Sequence, residues 1–130
     1  VDWTYAAAQR AAARRVVAEH PGAPIWTAAH WGLQEYLVAA GGKPLDLGRG
    51  GWGEVEPGDV VVVTRANSNA QKPARPVAAN VSGWTVTSPV PLRHISAWTG
   101  EGAFYSSVMG FLPWSLSREP IEEFTVVVPR

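Results

Sequence analysis

The chain has 130 residues, 46% of them hydrophobic and 17% charged, and eleven Lys and Arg balance eleven Asp and Glu. That is enough for one folded domain over 1–130 with its own core; it excludes a disordered chain, and without a Lys/Arg run it argues against a nucleic-acid partner. The absence of cysteine excludes a disulfide framework, a thiol nucleophile and a cysteine-ligated metal.

Residues 3–19, WTYAAAQRAAARRVVAE, predict the first helix, because Ala and Arg are strong helix formers and Asp2 is a ready N-cap. Ala6, Ala13, Val16 and Val17 are expected to face inward, with Arg10, Arg14 and Arg15 outward. His20-Pro21-Gly22 stops the helix. Residues 24–28, PIWTA, read as a short buried strand. Residues 31–40 give a second helix with Leu33, Tyr36, Leu37 and Ala40 at i, i+3, i+4 and i+7, closed by Gly41-Gly42. Residues 43–47 follow as a short strand, and 48–58, GRGGWGEVEPG, as a surface loop.

Residues 59–64, DVVVVT, predict a strand buried on both faces. Residues 81–87 and 92–98 alternate polar and apolar around Ser88-Pro89-Val90-Pro91 and read as meander-type additions to the sheet, the prolines barring that link from a central strand. Residues 121–128, IEEFTVVV, are the last strand. Strand–helix–strand units with apolar strands point to parallel pairing. The expected fold is a small α/β domain: a Rossmann-like parallel sheet core with flanking helices, extended by antiparallel strands.

His30 falls just past an expected parallel-strand end and just before a helix, where ligands of open α/β sheets gather and anions are attracted. The plainer reading is that it caps the helix or bonds a loop carbonyl. His20 and His94 show no metal-ligand spacing with it, so no metal is expected. The glycines of 48–53 lack the lysine and Ser/Thr of a phosphate loop and precede no helix, and no cofactor motif is present. The polar loop 64–73, TRANSNAQKP, offers Asn67, Ser68, Asn69, Gln71 and Lys72 at a strand end. These groups suit a sugar or phosphate, and equally an ordinary turn.

No G-x-S-x-G elbow occurs, and Asp59, Glu122 and Glu123 form carboxylate pairs only if the fold brings them together. Asn80-Val81-Ser82 matches a glycosylation sequon. Seven tryptophans are scattered without a repeat. The apolar stretch 102–120 is too short and too broken by Gly110 and Pro113 to span a bilayer. It reads as a loop over the core or as a docking patch.

Three stretches then stand out in order: PGAPIWTAAHWGLQEYLVAAGGKPLD, PGDVVVVTRANSNAQKP and GAFYSSVMGFLPWSLSREPIEEFTVV. Together they resemble the C-terminal soluble region of bacterial polytopic membrane glycosyltransferases, the dolichyl-phosphate-mannose-protein mannosyltransferase-like proteins that use lipid-phosphate sugars. The resemblance spans residues 20–128. It implies many membrane helices upstream, this domain outside the cytoplasm, and catalytic acids in loops near the first membrane helices, so that no catalytic residue carries over to this chain.

The matching positions His30, Trp31, Gln34, Asn67, Asn69 and Tyr105, with Lys72 of the polar loop, are the expected binding positions. The implied partners are the transmembrane part of the same chain and a lipid-linked sugar or glycan acceptor. A start at Val1-Asp2-Trp3 without methionine fits a piece of a longer protein. The competing expectation is a free-standing α/β enzyme or ligand-binding domain with a site near His30 and the 67–72 loop; a third is an interaction module that docks through residues 104–116.

Overall fold

The computed structural model describes residues 2–29, 32–65, 78–93, 103–106, 110–112 and 115–130. The alanine-rich opening forms α1 (Asp2–Glu19). Its buried stripe runs through Ala8, Ala12, Ala13 and Val16, the i, i+4 rows of one helix face. Ala6, expected inward, lies off that stripe and is exposed, while Arg10, Arg14 and Arg15 point outward as expected.

A tight turn leads into β1 (Ile25–Thr27), then α2 (Gly32–Ala39) with Leu33 and Leu37 buried. Ala40, expected to extend that face, lies past the helix end and is exposed. Gly41 adopts φ +93°, and Gly42 N–H bonds back to Leu37 O at 2.8 Å while Gly41 N–H bonds to Val38 O at 2.9 Å. This reversal needs a left-handed residue, which glycine supplies without steric cost.

β2 (Lys43–Pro44) is shorter than the sequence pattern suggested, because Asp46 turns the chain by accepting a hydrogen bond from Gly48 N–H. Two 3-10 turns follow, Leu47–Arg49 and Gly51–Glu54. The glycine-rich segment is therefore structured, and it packs Trp52 and Val55 onto the sheet.

β3 (Val60–Thr64) leads on to β4 (Ala79–Val86), β5 (Leu92–Arg93), β6 (Ala103–Ser106), β7 (Gly110–Leu112), β8 (Ser115–Leu116) and β9 (Glu122–Pro129). The main sheet runs β2-β1-β3-β9-β4. β1 is parallel to both β2 and β3, whereas β9 is antiparallel to β3 and to β4. The domain is thus mixed α/β, with two α-helices and a five-stranded mixed sheet among the described residues.

Among the described residues the link 88–91 does not join two paired strands, and residues 94–98 of the expected second strand lie outside the described residues. β4 runs beside β9, whereas β5 pairs with β8 in a separate two-stranded sheet, and β6 pairs with β7. Alternation marks a strand and its faces, but it does not choose the neighbour.

Side chains alternate across the main sheet. Val60, Val62, Phe124 and Val126 face the helices and join Ala8, Val16, Leu33 and Leu37. Val61 faces the other way with Trp26 and Ala28, under Leu45, Trp52 and Val55. The four valines of β3 thus serve two packed layers, and that is why the run reads as continuously apolar. No described helix is long and apolar enough to cross a membrane.

Candidate functional site

The carboxyl ends of β1 and β3 lie side by side, with Thr27 opposite Val62 and Ala28 N–H bonded to Val62 O at 2.9 Å. α2 starts from this edge at Gly32, whose α-carbon faces Gln9 of α1: a β-carbon there would lie 3.6 Å from Gln9 Cβ. β9 begins at the same edge with Glu122, which is fully buried.

Two polar residues four apart on α1 reach this carboxylate. Tyr5 Oη–H donates to Glu122 Oε2 at 3.0 Å and Gln9 Nε2–H donates to the same oxygen at 3.1 Å. Glu122 Oε1 accepts from Arg65 N–H and Glu123 N–H, each at 3.0 Å. A carboxylate is an acceptor only, and these four donors, all from described residues, already leave neither buried oxygen unpaired. The cluster ties the start of α1 to the ends of β3 and β9.

Glu123, next along the strand, projects to the opposite face and pairs with exposed Arg65 at 3.4 Å. Asp59 lies at the other end of β3, a strand's length away. The fold therefore does not assemble these three acids into a carboxylate pair.

Asp59 belongs to the amino edge of the parallel strands. Its Oδ2 accepts from the Trp26 indole N–H at 2.9 Å and from Glu56 N–H at 3.0 Å, closing the turn that precedes β3. The Lys43 ammonium stands 5.5 Å from the Trp26 ring centroid, a distance typical of cation–π attraction. These groups border an open cleft of about 630 Å³ whose walls also include Asp46, Arg49 and Glu54.

Carboxylates that accept, and a lysine and an arginine that donate, suit a ligand rich in hydroxyls. Among the described residues no group of three or more His, Asp or Glu can hold a metal ion.

Of the residues singled out from the sequence, His30, Trp31, Asn67, Asn69 and Lys72 lie outside the described residues. Gln34 stands in the first turn of α2, half-buried, on the helix that leaves the Glu122 edge. Tyr105 is in β6, which pairs with β7 and is not part of the main sheet. Of the 104–116 segment expected as a docking patch, Leu116 is exposed. The sequon asparagine Asn80 lies on exposed β4, and its Oδ1 accepts from Arg130 Nε–H at 2.9 Å and from Arg130 Nη2.

Sequence reasoning missed Tyr5, Gln9 and Trp26 as site residues. The only signal for the first two is a polar i, i+4 pair in an alanine-rich helix. No family model matches the chain, and neither a curated protein nor a solved structure matches it.

Proposed function

We propose that this chain is an accessory, extracytoplasmic domain of a membrane glycosyltransferase that uses lipid-phosphate sugars. On this reading it positions the donor or the acceptor, or packs on the transmembrane part of the same chain, and the catalytic acids belong to that other part. The parallel β2-β1-β3 unit, with α2 linking β1 to β2, is the Rossmann-like core of the reading.

The observation that carries it is where the three resembling stretches fall in the fold. Separated by many residues in sequence, they supply β1, β3 and β9, which are consecutive neighbours in the sheet. The three stretches therefore make one structural unit, which is compatible with the resemblance. The cleft beside Trp26 and Asp59 offers hydroxyl-bonding groups suited to a sugar.

The deciding experiment is to read the gene upstream of Val1. Several apolar runs of about 20 residues, each able to span a bilayer, are expected in the same reading frame. A complete reading frame that starts near Val1 overturns the proposal. A biochemical check uses the full-length protein in proteoliposomes: substitutions in the Trp26–Asp59 cleft raise the apparent KM for donor or acceptor more than they lower kcat.

A further inference from the structure

We propose that β4 is a pairing edge for a second copy of this chain. The two β4 strands join antiparallel about a two-fold axis near Ser82, and the two five-stranded sheets become one continuous sheet.

The backbone directions make the edge available. Arg65 N–H bonds to Glu123 O at 3.0 Å, and Arg130 N–H bonds to Ala78 O at 2.9 Å. Hydrogen-bonded pairs alternate along an antiparallel ladder, so the odd residues of β9 bond to β3 and its even residues bond to β4. With Ser82 opposite Val126 and Trp84 opposite Phe124, the even residues of β4 are the ones bonded to β9. Ala79, Val81, Gly83 and Thr85 therefore direct their N–H and C=O groups away from the sheet. Those groups meet no partner among the described residues, and β4 is the last strand in the order.

Proteins usually guard such an edge with a charge, a proline or a covering element. The strand ANVSGWTV contains neither a charge nor a proline, and Val81 is 66% exposed.

The shape favours a second copy as the occupant. An open groove of about 510 Å³ follows the edge, bordered by Val81, Gly83, Thr85, Glu123 and Thr125. A two-fold axis near Ser82 sets Val81 of each copy opposite Gly83 of the other, on the same face, so that the exposed valine meets no opposing side chain. Residue 83 must stay glycine, because a β-carbon there would lie 2.6 Å from Phe124 O.

The formal net charge of zero leaves no overall repulsion between copies. A closed, isologous dimer follows from a single two-fold axis. The pairing is independent of the glycosyltransferase reading and stands or falls separately from it.

Sedimentation equilibrium over a wide concentration range, combined with hydrogen exchange, tests the proposal on the 130-residue chain. A reversible dimer is expected, with the amides of Val81, Gly83 and Thr85 protected at high concentration and exchanging freely on dilution. Val81→Lys supplies the missing charge, and Val81→Pro removes an outward N–H that serves no bond to β9. Each is expected to weaken dimerisation roughly tenfold or more without altering the circular dichroism spectrum. Should the proline variant misfold, the lysine variant alone decides. A chain that stays monomeric at every concentration overturns the proposal. So does a dimer that Val81→Lys leaves intact, or one whose protected amides lie elsewhere.

Discussion

Glu122 brings a carboxylate into the core at the point where α1, β3 and β9 meet. Its two oxygens are divided by role: Oε2 takes the side chains of Tyr5 and Gln9, and Oε1 takes two backbone N–H groups. Truncation to alanine removes the shared acceptor of these donors, and the Gln9 amide and the Glu123 N–H lose it inside the fold. Glu122→Ala is expected to destabilise the domain by about 3 kcal/mol, the upper range for unsatisfied buried polar groups. Glu122→Gln keeps the shape, and reversing the Gln9 amide restores an acceptor opposite the new NH₂ group, so its cost is expected near 1 kcal/mol. Urea unfolding of both variants checks the order, and equal losses would show that the donors do not depend on the carboxylate. This centre was not legible in the sequence: Tyr5 and Glu122 are 117 residues apart, and an acid beside a second acid at a strand start reads as a solvated end. Trp26 and Asp59 escaped for the same reason, since only the parallel pairing of β1 with β3 brings the indole to the carboxylate.

At the level of elements, the patterns that survived are those in which burial dictates composition. The alanine-rich α1, the valines of β3 and the alternation in β9 each follow from the face they bury, and all three lie close to the positions read from the chain. The strand at 43–47 was overextended because a capping side chain, Asp46, ends it. The glycine-rich loop was underestimated because its anchors, Trp52 and Val55, hold it only through the sheet beneath. Pairing was the least legible property: β4 is amphipathic to the eye, yet its neighbour is β9, joined to it across the whole second half of the chain. That pairing leaves a local mark at Gly83, which must be small. Gly83→Ala is expected to cost about 1–3 kcal/mol, the usual cost of forcing an extra group into a packed position, since its β-carbon would meet Phe124 O at 2.6 Å. Gly53→Ala is the control, with nothing within 4 Å of the added carbon and no left-handed φ, and should leave the melting temperature nearly unchanged. Similar losses in the two variants would mean that β4 does not approach β9 as closely as the register requires.

Across the whole molecule the sheet divides two unequal cores. The helix side holds most of the large buried side chains, and Phe124 lies within it, fully buried and stacked on Trp84 with ring centroids 5.2 Å apart. The opposite side rests on Trp26, Val61 and the covering Trp52. This asymmetry predicts different responses to truncation. Removal of a buried aromatic costs about 3–5 kcal/mol, which is a large share of the 5–15 kcal/mol that typically holds a domain together. Phe124→Ala is therefore expected to lower the urea midpoint severely and to loosen both helices, because its ring fills the space between α1 and the sheet. Trp52→Ala removes a half-buried cover from a loop edge. It should release the 3-10 turns locally, seen as faster amide exchange around Gly51–Glu54, while the exchange of Val60–Thr64 stays slow, as expected of the most protected strand. Exchange rates and unfolding midpoints measured together on the two variants separate a local cover from a global support. If Trp52→Ala unfolds the chain as completely as Phe124→Ala does, the two faces of the sheet share one cooperative core.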